Sequence, residues 1–217
     1  VYYHPEPQSF NGAMLQTAVN TCQQSGHDVV VTDLHEMRFN PISSRNNFTT
    51  VKDAAYFKQQ IEEMHATEEY GFSDEIEKEL QKIENCDLMI WQFPLWWFGL
   101  PAPFKGWVDR VFAMGRTYGG GRFYQTGVFQ GKKGILSLTT GGPEEAYRKD
   151  GFNGDFFSIL RPIHRGMLEF TGFTVLEPHI VYSPAHISVD ERKEQLTLYA
   201  KRLEKIDNEQ PYTVGNY

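Results

Sequence analysis

A chain of 217 residues and 25.1 kDa, 40% apolar and 14% aromatic, is long enough for one sizeable core and rich in flat side chains. Its formal charge of −7 argues against a non-specific nucleic-acid or anionic-membrane surface, since both need a basic face. No apolar run approaches a membrane span, no charged-then-apolar leader opens the sequence, and Cys22 and Cys86 lack the C-x-x-C spacing of a metal or redox site. The expectation is a cytoplasmic globular protein without a metal centre.

The sequence opens in a strand, VYYHPEP, that runs into a turn. Residues 11–25 read as a helix, with Met14, Leu15, Ala18 and Val19 on one apolar face. DVVVTDL (28–34) is a short β-branched run of the kind found in buried parallel strands. Residues 35–72 are polar, aromatic and irregular, with a helix around 52–65. SDEIEKELQKIENC then predicts a helix: Ser73 or Asp74 caps it, acids crowd its first turn, and Ile76, Leu80 and Ile83 form the buried stripe. DLMIWQF follows as a strand, 103–114 as a helix, GILSLTT (134–140) as a strand, and 155–171 as a helix despite Pro162. FTVLEPHIVYS reads as the last strand and 188–205 as the last amphipathic helix.

Strands alternating with helices imply a parallel sheet covered on both faces. Five strands suit the doubly wound, flavodoxin-like α/β order 2-1-3-4-5, in a single domain over 1–217 with an insertion at about 35–72 and a C-terminal extension. In such a sheet ligands bind beyond the carboxyl ends of the strands, where the winding reverses. That rule selects HPEPQSFNG, FPLWWFG and TTGGPEEAY.

The first loop leads into a helix, so free N–H groups and the positive dipole end suit a phosphate or diphosphate; His4, Gln8, Ser9 and Asn11 add donors. It is neither G-x-G-x-x-G nor a Walker loop, and Ser9 or Asn11 equally serves as a simple helix cap. FPLWWFGLPAPFKGW (93–107) holds three of the four tryptophans, broken by three prolines and two glycines. Trp97 and Phe98 are placed to wall a flat ligand, whereas Trp91 reads as core and Trp107 as core or dimer surface. In the third loop Gly141 and Gly142 allow close backbone approach, and Tyr147 offers a hydroxyl to developing negative charge. A phosphate cradle, an aromatic platform and an oxyanion-stabilising loop together describe a flavin site.

HPEPQSFN, RFNPISSR, FPLWWFGLPAPFKGWVDRVF, KKGILSLTTGG and GFTVLEPHIVYSPAH make nearly the whole chain resemble the flavodoxin-like NAD(P)H:quinone oxidoreductases of the DT-diaphorase type. The resemblance implies a homodimer that binds FAD and reduces quinones by two-electron hydride transfer from NADH or NADPH, donor and acceptor using one pocket in turn. It places His4, Gln8, Ser9, Phe10 and Asn11 at the FAD diphosphate and ribityl chain. Pro94, Leu95, Trp97, Phe98, Thr139, Thr140, Gly141, Gly142 and Tyr147 match the positions around the isoalloxazine. Arg192 matches an arginine near the adenine, Asp109 an acid offered by the partner subunit, and Tyr118 an aromatic that closes over the substrate. The sequence departs from the pattern twice. GFNGD puts Asn153 where a catalytic histidine pairs with the tyrosine, and Gly120 stands where a second tyrosine lines the substrate mouth. Asparagine hydrogen-bonds but takes up no proton near neutral pH, so a histidine relay is excluded there.

Two other readings follow from relatives of this fold. One is an ancillary subunit of a potassium efflux system, with the acidic stretch from Glu62 to Glu84 as a partner surface or simply a solvated helix face. The other is an FMN electron carrier, against which stand the length and Arg192.

Overall fold

The computed structural model describes residues 1–215. Six α-helices and four strands are formed among them: α1 Phe10–Gln24, α2 Gln59–Glu69, α3 Asp74–Asn85, β1 Leu88–Pro94, α4 Ala102–Val111, β2 Lys133–Thr140, α5 Phe156–Ile163, β3 Thr174–Val175, β4 His179–Tyr182 and α6 Val189–Leu203. β1 pairs in parallel with β2 along its whole length, and β2 pairs on its other side with β3 and then β4.

The order 2-1-3-4-5 is present, although two of its members are reduced to bridges. Tyr2 bridges Asp33 on one side, donating to the Thr32 carbonyl and accepting the Leu34 N–H, and Gln92 on the other through the bonds of Val1 and Tyr3, which lays Val1–Tyr3 between residues 32–34 and β1. The expected buried strand at 28–34 is corrected: Val30 and Val31 are 68% and 40% exposed. Valines favour extended backbone but need a neighbour to pair with, and Tyr2 bridges only the far end of that run, at Asp33. Residues 28–31 instead line a groove with Leu15, Val19, Leu88 and Ile90. The last strand is also split, at Leu176–Pro178, because a proline nitrogen cannot donate to the ladder.

Alternation along the strands sorts the core into two faces. Leu88, Ile90, Ile135 and Val181 meet Met14, Ala18, Cys22, Tyr199 and Leu203 of α1 and α6. Met89, Trp91, Phe93, Leu136 and Leu138 meet α3, α4 and α5 on the other face. Trp91 and Trp107 are fully buried there, as core, and the Trp107 indole N–H donates to Glu79.

The helix expected over 155–171 changes type. After α5 the backbone widens into a π-helix at His164–Glu169. Pro162 lacks the N–H that would close its turn, which is the local cause of the break. The acidic stretch is not one solvated face. Glu62, Glu63 and Glu79 are buried, and Glu77 and Glu84 clasp Arg116.

Candidate functional site

Parallel register brings the ends of β1, β2 and β4 to one edge: Pro94 faces Thr139, and Thr140 faces Tyr182. Tyr3 donates its N–H to the Gln92 carbonyl, so the first loop leaves from the same edge. The three loops singled out in the sequence are therefore neighbours.

α1 begins beside this edge. Ser9 caps it by accepting the Gly12 N–H at 3.1 Å, and Gly12 is required because a Cβ there would lie 2.1 Å from the Pro7 carbonyl oxygen. The opening N–H groups of Phe10 and Asn11 precede any intrahelical partner and point out of the helix end. His4 Nδ1 lies 3.0 Å from both the N–H and the carbonyl of Glu6, and the Glu6 carboxylate accepts the Gln8 N–H, which tightens the turn. The Asn11 side chain turns inward instead. It is 3% exposed, donates to the Thr139 hydroxyl at 2.8 Å and accepts the Gln92 amide at 2.7 Å. Only its backbone remains for a ligand, and its amide ties α1 to β1 and β2.

The second loop is a tight turn with mutual bonds between Trp96 and Gly99, at 3.2 and 3.0 Å. Its two central residues, Trp97 and Phe98, both have left-handed backbone, at φ 49° and 60°. Such a turn normally carries Asn-Gly, and each L side chain there adds about 1–2 kcal/mol of strain. Trp97 is 97% exposed and Phe98 half-exposed, so the strain holds apolar rings out of the core rather than in it. Backbone strain sustained for exposed aromatics makes this turn a candidate binding wall. Leu95 N–H bonds to the Thr139 carbonyl, fixing the root of the turn to the third loop.

In the third loop Thr139 and Thr140 are buried, and the Thr140 hydroxyl donates to the Gly142 carbonyl at 2.7 Å. Gly141 faces open space. A Cβ on Gly142 would lie 3.2 Å from Tyr147 Cε2, 3.4 Å from its hydroxyl and 3.7 Å from the Asn153 amide nitrogen, so these groups converge on one glycine. Tyr147 is buried between Phe156 and Tyr182, and Asn153 is pinned by its N–H to the Ala146 carbonyl. Arg192 donates to the carbonyls of Pro184 and Ile187, fixing the loop that follows β4.

Three residues of this edge escaped the sequence. Trp96 packs edge-on against Tyr3 and His4, joining the first two loops. Ser183 donates its hydroxyl to the Gly141 carbonyl from a left-handed backbone, and Tyr182 backs Tyr147. Both stand at the carboxyl end of β4, where the strand-end rule would have found them.

Tyr118 and Asp109 lie elsewhere. They share a cleft of about 470 Å³ with Gln60, Lys105 and Phe170, whose walls include no residue of the three loops. The Tyr118 hydroxyl accepts the Gln60 amide at 3.2 Å, its ring packs on Phe170, and Asp109 pairs with Lys105 at 2.5 Å.

Residues 1–206 match the family model described as Flavodoxin-like fold. The NAD(P)H dehydrogenase [quinone] 1 of Cavia porcellus is 46% identical over 209 residues, covering 96% of this chain and 76% of that protein. The human ribosyldihydronicotinamide dehydrogenase [quinone] is 40% identical over 212 residues, covering 97% and 92%. The crystal structure of a candidate quinone reductase from Klebsiella pneumoniae superposes with a TM-score of 0.93 at 36% identity, over 97% of this chain and 84% of that one. The chain belongs to the flavodoxin-like NAD(P)H:quinone oxidoreductase family.

Proposed function

We propose that this chain is an NAD(P)H-dependent quinone reductase whose strand-end loops hold FAD, and that it works as a homodimer. The strained, outward-held Trp97–Phe98 turn, rooted through the Leu95 N–H on the Thr139 carbonyl just before Gly141 and Gly142, carries the reading, because an exposed aromatic wall beside an open glycine backbone suits a flat group with an apolar body and a polar edge. The α1 N-terminus would take the phosphates, Trp97 and Phe98 the ring face, and the backbone of 141–142 the ring edge. When bound, the flavin supplies two-electron chemistry between the nicotinamide and the quinone.

The protein's part is orientation and electrostatics. Gly141, with no side chain, lets the main chain approach the ring edge. The Tyr147 hydroxyl and Asn153 amide present donors beside Gly142, suited to negative charge developing on the ligand. The Asn153 amide can donate a hydrogen bond but neither takes up nor releases a proton near neutral pH, so the group at this corner able to transfer a proton is the Tyr147 hydroxyl. A flat ring seated on Trp97 and Phe98 would displace water from this corner, which strengthens each of these hydrogen bonds.

Tyr118 and Asp109, apart from the loops but together in one cleft, fit a role in the site of a second copy, where Tyr118 would close over the acceptor. Close relatives carry names for two donor classes, NAD(P)H and ribosyldihydronicotinamide, so the donor is tested alongside the function.

Purified protein is loaded with FAD and mixed anaerobically with NADH, NADPH or dihydronicotinamide riboside, then with a benzoquinone, while flavin absorbance is followed. Bleaching by one donor and recovery with quinone are expected, from a particle of twice 25.1 kDa by light scattering. Flavin that binds but stays oxidised with all three donors would refute the enzyme and leave a regulatory flavoprotein. Tighter binding of FMN than of FAD by the flavin-free protein, or a monomer with full activity, would refute the FAD and dimer assignments separately.

A further inference from the structure

Glu63 is a carboxylate only 2% exposed, on the inner side of α2, and the chemistry above does not use it. Its oxygens hold other parts of the chain. Oε2 accepts the Met114 N–H at 2.7 Å and Oε1 accepts the Gln59 amide at 2.8 Å. The same Gln59 nitrogen donates to the Asp109 carbonyl at 2.8 Å. One turn further along α2, Thr67 donates to the Glu63 carbonyl, and a Cβ on Gly115 would lie 2.8 Å from the Thr67 hydroxyl. At the other end of the 113–118 turn, Gly115 N–H bonds to the Tyr118 carbonyl and Gln60 donates to the Tyr118 hydroxyl. α2 thus grips this turn at both ends, and the turn carries Tyr118.

We propose that Glu63 is a positioning residue for the quinone subsite, fixing from α2 the turn that presents Tyr118. This rests on the reading that Tyr118 closes over the acceptor. A turn needs no charge to hold it, yet here an acid is buried for the purpose. Burial pushes the Glu63 carboxyl above the usual carboxylate range, opposed by the bonds from Met114 and Gln59. The charged or titratable groups facing the same cleft are Lys105 and Asp109 of α4, already paired with each other, and Tyr118. Gly166, Met167 and Phe170 close its far wall without charge. The ionised carboxylate is an acceptor on both oxygens; once protonated, one oxygen becomes a donor facing a donor. Acid therefore loosens the turn, and quinone binding weakens before flavin or nicotinamide binding does.

The test uses flavin-loaded enzyme at saturating nicotinamide and varied benzoquinone, across pH about 5 to 8, with Glu63→Ala, Glu63→Gln and Tyr118→Ala. Losing a hydrogen bond to a buried charge predicts a quinone KM about tenfold higher in Glu63→Ala, with flavin affinity and nicotinamide KM unchanged. Glu63→Gln carries one acceptor and one donor, as the protonated acid does, so its quinone KM should sit at the raised, acid-side value of the wild type at every pH and lose the rise toward acid. Amide exchange at 114–118 in the flavin-free protein should speed up in Glu63→Ala, and in Glu63→Gln should match the wild type at acid pH without further change with pH. Equal shifts in both KM values, or an acid limb that persists in Glu63→Gln, would overturn the proposal. If Tyr118→Ala leaves the quinone KM unchanged, the placement of Tyr118 is wrong and the proposal falls with it. If Tyr118→Ala raises the KM and Glu63→Ala does not, only the role of Glu63 is lost. Should Glu63→Ala fail to fold, the acid limb of Glu63→Gln decides alone.

Discussion

Trp97→Gly should make the flavin-free protein more stable and the flavin more weakly bound. At φ 49° the tryptophan backbone is strained by about 1–2 kcal/mol, which glycine removes. Trp97 is 97% exposed, so almost no buried apolar area is lost with its ring. Glycine also loosens the unfolded chain, at about 0.5–1 kcal/mol against folding. The balance lies between about 0 and 1.5 kcal/mol in favour of the variant. For a chain of this size that raises Tm by up to about 6 °C. With flavin the sign reverses, because removing one aromatic wall forfeits about 1–2 kcal/mol of ring contact, or about a 5- to 30-fold higher Kd. Thermal melts of the apo protein and titration of FAD fluorescence measure the two halves independently. An apo Tm that falls would show that the turn is unstrained, and an unchanged FAD Kd would show that Trp97 is no wall of the site.

Three further outcomes follow from the same geometry. Asn11→Ala leaves the buried Gln92 amide and Thr139 hydroxyl without their partner, and should lower stability by about 2–4 kcal/mol in urea unfolding. Gly142→Ala must push Tyr147 aside by a few tenths of an ångström, since its Cβ would lie 3.2 Å from the ring; turnover should fall about tenfold, with the melting curve little changed. His164 is fully buried with no partner at either ring nitrogen among the described residues, and burial pushes it down to about 4. Its folded value lies below its unfolded one, so the unfolded chain binds more protons in acid. Stability is then lost as pH falls from about 6.5 to about 4, by up to about 1.4 kcal/mol per pH unit. His164→Phe should remove that one proton from the measured pH dependence of unfolding.

Helices were legible because their signals are local. A cap and an apolar stripe place α1 within a residue of the 11–25 expected, and the same holds for α3; α6 starts within a residue of its expected 188 and ends two residues before 205. The π-helix was announced by Pro162 and the split of the last strand by Pro178, signals that were present and underweighted. The 28–34 run fails for a different reason. Val29–Val31 have strand chemistry, but a strand exists only where another segment lies beside it, and no local pattern reports that.

The candidate site divides along the same line. Its location needed only the strand-end rule, and the three loops do meet at one edge. Which atoms face a ligand is a long-range matter. Asn11 sits in the phosphate loop, yet its side chain belongs to Gln92 and Thr139, 81 and 128 positions away. Tyr118 follows α4 closely in sequence but rests against Phe170 in a cleft that no residue of the three loops lines. The left-handed backbone of Trp97 and Phe98 is the hardest feature to foresee, because the residue types argue against it. Propensity would put Asn-Gly in such a turn. Two bulky aromatics held there against propensity and largely out of the core add little to folding, so the conflict between local preference and observed backbone supports the proposed ligand wall more directly than the tryptophan count does.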